Sequence, residues 1–141
     1  MNITNKSLVK IGTKIKTWYN GEVKINALTP DKPIENHIGH KATIVKLPRI
    51  VNKSYMLEIK ANGKTLVCTP DTLLLTPINK KDNEWKNADS FIIGDKVVME
   101  GGDFPIESVH VLLYTCSQMV YGIITSMSKS FIANDFYVRN Y

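Results

Sequence analysis

The sequence predicts an all-β domain, and three of its features lead to this prediction. Short segments alternate apolar and polar side chains, Asn-Gly and similar turn pairs separate them, and no amphipathic helix of ordinary length is visible. The 141 residues fit one domain, and a domain of this size buries roughly two thirds of its unfolded surface. We therefore expect a short polar leader at residues 1–6 and a single domain of many short antiparallel strands at residues 7–141.

The first predicted strands surround a turn near residue 20. Ile11 to Thr17 alternates isoleucine and threonine with lysine, as half-buried strands do. Asn20-Gly21 follows and predicts a type I′ hairpin turn, because both central residues of that turn need positive φ. Prolines and Gly39 interrupt the pattern over residues 29–48, so we expect loop there, with one short strand near Ala42 to Lys46.

Regular alternation returns at residue 55 and continues to the end of the chain. Asn62-Gly63 predicts a second type I′ hairpin, and Asn134-Asp135 predicts a third. Trp85 to Ser90 is expected to form a single helical turn, with Trp85 and Phe91 buried as core anchors. The remaining strands are expected at residues 55–60, 65–68, 96–98, 109–113, 120–125, 130–133 and 136–139.

Composition excludes several classes of protein. The apolar runs are only a few residues long, far short of the ~20 that a membrane helix needs, and residues 1–10 lack the pattern of a signal peptide. These features favour a cytoplasmic protein without membrane contact. The net charge of +5 would permit nucleic-acid binding, but sixteen of the eighteen basic residues are lysines spread along the chain. Phosphate recognition more often clusters charge and uses arginine.

Cysteine and histidine do not predict a metal centre. Cys68 and Cys116 are too far apart in sequence for a metal-binding pattern, and we expect both to be free thiols. His37 and His40 have a spacing found in some metal sites, but no carboxylate or thiol set accompanies them, so surface histidines are the better interpretation. We expect neither a metal nor another cofactor.

Four separated segments resemble the hedgehog/intein (Hint) family and occur in the family's order. They are Gly12-Thr13-x-Ile15, the block from Asn62-Gly63 to Thr76, Trp85-x-x-Ala88-x-x-Phe91-x-x-Gly94-Asp95-x-Val97, and the closing segment from Val120 to Asn140. In the closing segment, Phe131-x-Ala133-Asn134-Asp135 stands where the family has Phe-x-Ala-Asn-Gly. The resemblance covers nearly the whole chain and implies a flat, pseudo-two-fold β fold whose two chain ends meet centrally.

The resemblance also implies positions for a self-processing site. Active members carry a Cys or Ser nucleophile before the first strand, and Ser7 stands in or beside that position. Their Thr-x-x-His block helps to protonate the scissile amide. Thr69 is retained here, but Thr72 stands in place of the histidine and cannot exchange a proton near neutral pH.

The last residues depart from active members in the same way. Arg139 replaces the penultimate histidine, and an arginine stays protonated. Asn140, which cyclises in active members, is retained, but Tyr141 follows where splicing needs Cys, Ser or Thr. Each positioned acid or base is typically worth about 10²- to 10⁴-fold in rate, so losing two of them predicts an inactive site.

The predicted remnant of the site is a polar cluster near the two chain ends. Its members are Ser7, Thr69, Thr72, Arg139 and Asn140. Each retained residue also has a purely structural interpretation, as a cap, a strand residue or a hydrogen-bonding residue at the chain end. We favour that interpretation over an active catalytic role, because a shared fold does not carry activity with it.

Three functional hypotheses follow. The first is a non-enzymatic Hint-like structural or docking module that binds other proteins of a larger assembly. A small phage virion component of the tail, baseplate or capsid is the specific form suggested by the size, the Lys-, Asn- and Ile-rich composition and the family's occurrence in phage genomes. The second is residual autocleavage at Ser7 or Asn140, and the third is a basic nucleic-acid-binding domain.

Overall fold

The computed structural model describes residues 7–52, 55–78, 83–113, 117–126 and 128–141, and these are almost entirely β-strand. The strands are β1 Val9–Lys10, β2 Lys14–Lys16, β3 Glu22–Lys24, β4 Pro33–Glu35, β5 Lys41–Lys46, β6 Arg49–Asn52, β7 Met56–Ala61, β8 Lys64–Cys68, β9 Leu73–Pro77, β10 Asn83–Asn87, β11 Lys96–Met99, β12 Gly102–Leu112, β13 Gln118–Tyr121, β14 Ile124–Ser126, β15 Ser130–Ala133 and β16 Phe136–Arg139. Two 3₁₀ turns, Ile25–Ala27 and Ala88–Ser90, are the helical segments in these ranges. The all-β prediction is confirmed.

Most of the described strands belong to one large antiparallel sheet. Its order is β3-β2-β15-β16-β11-β12-β7-β8-β1-β13-β6, with β9 paired to β16 and to β10. A smaller sheet has the order β14-β5-β4. The long strand β12 pairs with β11 near its start and with β7 near its end, with a bulge between Ile106 and Ser108. This one strand therefore joins the two halves of the large sheet.

Two of the predicted hairpins turn as their residues require. Asn62 and Gly63 have φ values of 50° and 71°, and Asn134 and Asp135 have values of 48° and 70°, as a type I′ turn demands. Asn134 also binds two other strands, because its Oδ1 accepts from the Lys14 amide and its Nδ2 donates to the Thr65 carbonyl. The turn chemistry thus both reverses the chain and links separate hairpins.

The hairpin near residue 20 has a longer turn than predicted. It joins β2 to β3 through a five-residue loop in which Gly21 has positive φ and Asn20 does not. The amide and hydroxyl of Thr17 both donate to the Gly21 carbonyl, and the Thr17 hydroxyl accepts from the Asn20 amide. The position of the turn is therefore confirmed, but its type I′ assignment is wrong because the Thr17 side chain closes a wider loop.

The predicted strand from Ile11 to Thr17 is interrupted. A turn closes between the Thr13 amide and the Lys10 carbonyl, with Gly12 at φ 87°. Ile11 lies in this turn and is exposed, whereas Ile15 is completely buried in β2. The alternation persisted through the turn, so periodicity alone could not reveal it.

Residues 29–48 contain more strand than predicted. The expected strand near Ala42 to Lys46 is present as β5, but β4 pairs with it, and β6 follows directly. Pro33 is compatible with β4 because β4 lies at the edge of the small sheet, where a missing amide hydrogen is tolerated. Asn36 closes the turn between β4 and β5, with its Oδ1 accepting from the amides of Ile38 and His40.

Trp85 is on a strand, and the predicted helical turn from Trp85 to Ser90 is wrong over its first half. Trp85 in β10 faces Leu75 of β9, and the 3₁₀ turn starts only at Ala88. Strand pairing with β9 therefore overrides the local preference. Phe91 is 3% exposed, as predicted, but Trp85 is only half-buried, with its ring 5.4 Å from that of His37.

The core has a large apolar cluster that runs through both sheets and a smaller one formed by Leu8, Met56 and Val120. Its largest completely buried side chains include Phe131, Phe136, Ile15, Ile44 and Leu74. Within the described ranges, no helix has the length and hydropathy needed to cross a bilayer.

The different burial of the aromatic side chains predicts that their removal lowers the free energy of unfolding by different amounts. Phe91→Ala should lower the free energy of unfolding by about 3–5 kcal/mol, because it leaves a core cavity. Trp85→Ala should cost less, since part of that side chain stays in water. Tyr19→Ala, at a residue 71% exposed, should stay within about 0.5 kcal/mol of the unmodified protein. Urea unfolding measures all three, and a Trp85→Ala cost above that of Phe91→Ala would contradict the assignment.

Candidate functional site

The segment that enters β1 is clamped to the turn between β8 and β9. Ser7 is completely buried, and its Oγ accepts from the Leu73 amide at 3.0 Å. The Leu8 carbonyl accepts from the Thr69 amide at 3.0 Å and from the Thr72 hydroxyl at 3.0 Å. The Leu8 amide in turn donates to Thr72 Oγ1 at 3.1 Å. The backbone of Leu8, directly after Ser7, is thus held by Thr69 and Thr72 of the predicted Thr-x-x-Thr block.

Hydroxyl groups supply the side-chain chemistry of this clamp. Thr69 Oγ1 lies 3.0 Å from Thr72 Oγ1 and 3.4 Å from the Leu8 carbonyl. Both threonines are buried. A hydroxyl donates and accepts hydrogen bonds but does not ionise near neutral pH. Among the described residues, Ser7 and Leu8 form hydrogen bonds with backbone groups and with these hydroxyls, so this end of the site can position a backbone without protonating it.

Gly122 is where the two ends of the described chain meet. A Cβ at this position would lie 2.8 Å from Tyr141 Cβ and 2.9 Å from the Ser7 carbonyl oxygen. Contacts below 3.0 Å essentially do not occur for real Cβ atoms, so only glycine leaves room for this approach. The Gly122 amide donates to the Pro48 carbonyl, and the Tyr141 amide donates to the Ile123 carbonyl. The predicted meeting of residues near both ends is therefore present.

Asn140 is held by its backbone and by its side chain. Its amide N–H donates to the Lys129 carbonyl at 2.8 Å. Its Nδ2 donates to Thr125 Oγ1 at 2.8 Å and to the Ser128 carbonyl at 3.0 Å. Both hydrogens of the side-chain amide are thereby engaged, while Oδ1 is buried and finds no donor among the described residues. Such an atom typically costs about 1–3 kcal/mol.

Arg139 does not join the predicted polar cluster. It precedes Asn140, and neighbouring residues of a strand point to opposite faces. Its side chain is half-buried and makes no hydrogen bond or ion pair with another described residue. Ser7, Thr69 and Thr72 are brought together around Leu8, and Asn140 is next to Tyr141, which reaches Gly122. The expectation that Arg139 would hydrogen-bond within this cluster is therefore not met in the described part of the chain.

His37 has a role that sequence reasoning missed. It is half-buried, and its Nδ1 lies 2.6 Å from Ser130 Oγ, so its assignment as a surface histidine is wrong. Burial lowers the pKa of His37, and the charge of Lys129 lowers it further. Its pairing with Ser130 joins residues 93 positions apart in sequence, which no local pattern could show. His40, by contrast, is exposed as predicted.

Cys68 is buried and unsuited to act as a nucleophile. Burial raises the pKa of the Cys68 thiol to about 12, and the hydrogen bond from Thr72 only partly opposes this effect. The thiolate is the reactive form of cysteine, so this thiol is inert near neutral pH. Its free state agrees with prediction, whereas Cys116 lies outside the described residues. Nowhere in the described ranges do three or more His, Cys, Asp or Glu residues form a potential metal site.

A groove of about 400 Å³ opens beside the place where the ends meet. Its walls combine apolar side chains with two carboxylates. They are Leu8, Ile50, Asn52, Thr69, Pro70, Asp71, Asp89 and Tyr141. The groove runs beside β6, an edge strand of the large sheet in the described structure.

The close packing around Gly122 predicts that adding a side chain at this position lowers the stability of the protein. Gly122→Ala should lower the free energy of unfolding by about 1–3 kcal/mol, because the new methyl group meets the Ser7 carbonyl and Tyr141 Cβ in a packed site. Ser126→Ala, at an exposed residue of the neighbouring strand, is the matched control and should change little. Urea unfolding of the two variants is the measurement. A Gly122→Ala protein as stable as the control would show that the ends do not meet there.

Comparison with known proteins finds similarity at the level of structure. No protein-family model matches the chain, and no curated protein matches it. Among solved structures, the bacterial intein-like domain from Clostridium thermocellum aligns with a TM-score of 0.83 at 17% identity, covering 97% of this chain and 100% of that one. The DnaB intein from Synechocystis sp. PCC 6803 aligns with a TM-score of 0.80 at 19% identity, covering 96% and 99%.

A third solved structure, also an intein, shows the same relationship. The gp41-1 intein aligns with a TM-score of 0.76 at 18% identity, covering 96% of this chain and 100% of that one. The shared fold therefore extends over nearly the whole of this chain. The chain therefore has the Hint fold of inteins and intein-like domains.

Proposed function

We propose that this chain is a non-enzymatic domain of the Hint fold that serves as a structural or docking module in a larger assembly. The observation that supports the proposal is the hydrogen bonding of Asn140 and of the Ser7–Leu8 segment. Both are held by carbonyls, amides and hydroxyls, and none of these groups ionises near neutral pH or can act there as a general acid or base. The intein neighbours are self-processing, and the lack of acid–base groups among the described contacts of these two segments supports a non-enzymatic role for this chain.

At the first step, an acyl shift to Ser7 would need a base for its hydroxyl and an acid for the leaving amine. The Ser7 oxygen instead accepts from the Leu73 amide, which draws electron density away from it. Thr72 occupies the adjoining position with a hydroxyl that already bonds the Leu8 backbone. Neither residue can supply the proton transfers, so we expect the Ser7 hydroxyl to remain unreactive.

At the last step, cyclisation requires Asn140 Nδ2 to attack the residue's own carbonyl carbon and to lose a proton. Nδ2 must first leave its acceptors, Thr125 Oγ1 and the Ser128 carbonyl. Among the described residues, no titrating side chain is bonded to this amide, and Arg139 stays protonated. The Tyr141 amide is also engaged, by the Ile123 carbonyl, which holds the bond to be broken in place.

Residual self-processing is the second candidate, and two observations favour it. The ends still meet at Gly122, so the geometry of a two-ended reaction persists without its acid–base groups. The buried Oδ1 of Asn140 without a described donor is a local cost of the kind that proteins often keep at reactive positions. Chemical stability of the intact chain separates the two candidates.

We predict that the purified protein keeps its full mass during days of incubation, with or without a thiol nucleophile. The T72H/R139H double variant should restore measurable cleavage, because it returns a titrating imidazole to each end while the scaffold keeps the ends together. Intact-mass spectrometry provides the measurement for both proteins.

Two further variants assign any cleavage that is seen. In the double-variant background, Ser7→Ala should abolish release of residues 1–6, and Asn140→Ala should abolish loss of Tyr141. Spontaneous loss of either fragment from the unmodified protein would refute the non-enzymatic function and establish the second candidate.

Docking is proposed to use the groove beside β6. Ile50 and Val51 on this strand are exposed apolar residues, 38% and 50% accessible respectively. Asp71 and Asp89 add negative charge to the groove, and neither forms an ion pair with a described residue. An edge strand beside such a groove suits an extended protein segment that carries a basic side chain. A phage virion protein is the specific assembly partner that we propose.

The two carboxylates of the groove predict which substitutions weaken the binding of a protein partner. Protein isolated from its native source should carry a stoichiometric protein partner, and Asp71→Lys combined with Asp89→Lys should reduce recovery of that partner at least about tenfold, the change that 1.4 kcal/mol produces. Asp103→Lys, at an exposed aspartate outside the groove, is the control for charge. Quantitative mass spectrometry of the co-purified proteins measures the effect. Equal recovery from both variants would exclude the groove as the docking surface.

A further inference from the structure

The turn between β4 and β5 forms hydrogen bonds with Ser128 and Ser130, in the segment that leads into β15. Asn36 is buried, and its Nδ2 donates to Ser128 Oγ at 3.2 Å. The His37 amide donates to Ser130 Oγ at 3.0 Å, and the His37 imidazole Nδ1 lies 2.6 Å from the same oxygen. Two successive residues of the turn thus hold two residues of this segment.

The same segment, from Ser128 to Ser130, also holds Asn140. The Ser128 carbonyl accepts from Asn140 Nδ2, and the Lys129 carbonyl accepts from the Asn140 amide. Asn36 and Asn140 therefore bind the same residue, Ser128, from two directions. Loosening the turn removes one of the restraints on the group that holds the Asn140 side chain.

His37 is placed where a positive charge is unfavourable. Its ring makes edge contacts with Trp85 at 5.4 Å and with Tyr137 at 6.1 Å. Lys129 lies next to Ser130 in sequence, and its charge lowers the pKa of His37 in addition to the larger effect of burial. Arg139 lies on the same face of β16 as Tyr137, so a second cation faces this region.

The described elements around the ring offer no counter-ion to it. Burial, followed by the charge of Glu100, raises the pKa of Tyr137, so its phenol stays neutral. On β10, Asn83 and Asn87 share the face of Trp85 and are uncharged. Glu35, two residues before His37, is bound to Lys16 at 3.1 Å. In the described residues, therefore, no carboxylate is paired with the imidazole.

We propose that the turn from Asn36 to His40 is an acid-sensitive latch. It holds the segment from Ser128 to Ser130, and through it the Asn140 side chain, while His37 is uncharged. The latch opens when His37 gains a proton, because the charged ring moves from a half-buried site beside Lys129 into water. His37 is thus a positioning residue for Asn140, whether or not Asn140 reacts.

The direction of the pH effect follows from linkage. The latched form lowers the pKa of His37 below the ordinary value of 6.5, so the open form binds the proton more readily. The latch is therefore fully stable above the pKa of the open form and weakens as the pH falls through it. Between the two pKa values, the opening equilibrium rises about tenfold per pH unit.

Hydrogen exchange of Asn140, followed by NMR from about pH 7 to about pH 5, tests the latch across the range in which histidine titrates. Protection factors of the side-chain and backbone amides, corrected for intrinsic exchange, should fall by up to about tenfold per pH unit below about pH 6.5. The midpoint should coincide with the measured titration of the His37 imidazole. His40→Gln, at the exposed histidine of the same turn, should behave like the unmodified protein.

His37→Gln should remove the pH dependence, since glutamine keeps polarity without a titrating group. Protection that is independent of pH in the unmodified protein would overturn the proposal, as would an unchanged fall in His37→Gln. A fall whose midpoint follows His40 or His110 would overturn it too. If His37→Gln does not fold, the unmodified protein decides the question. There, the midpoint of the loss of Asn140 protection either coincides with the midpoint of the His37 titration or does not. Intact mass is a separate measurement, so failure of the latch and failure of the proposed function are distinguishable.

Discussion

The meeting of the two chain ends at Gly122 is the constraint on which the site depends. The Ser7 carbonyl and Tyr141 approach that residue so closely that a single methyl group would not fit. Each end is then held from its other side, Leu8 by Thr69 and Thr72 and Asn140 by the segment before β15. The large sheet makes this possible, because it places β1 between β8 and β13 and continues β16 into the last residues.

Holding a backbone and breaking it require different chemistry. The residues around Leu8 supply three hydrogen bonds within 3.1 Å, which is sufficient to order the segment. Cleavage additionally requires groups that take up and release protons near neutral pH. Hydroxyls, amides and an arginine do not do so. The described contacts hold the backbone at both ends without supplying such groups, and this is the basis on which we propose a structural or docking role.

The only half-buried imidazole in the described structure is that of His37, on the turn between β4 and β5. Its hydrogen bond to Ser130 couples the small sheet to the strand pair β15–β16, and Asn36 strengthens the same contact through Ser128. Because the His37 ring is half-buried and near Lys129, this contact depends on whether the imidazole is charged. The small sheet thereby becomes a means of controlling how firmly Asn140 is held.

The sequence by itself determined the all-β class, the turns at Asn62-Gly63 and Asn134-Asp135, and the order of the Hint segments. These depend on local chemistry, since positive φ and period-two alternation are properties of neighbouring residues. Only the tertiary structure decided that Trp85 lies on a strand and that His37 binds Ser130. It also decided that Arg139 makes no hydrogen bond with the other described members of the polar cluster and that Gly122 leaves room for both ends of the described chain. Each of these outcomes joins residues that are distant in sequence, and such contacts form only when strands from separate hairpins come together.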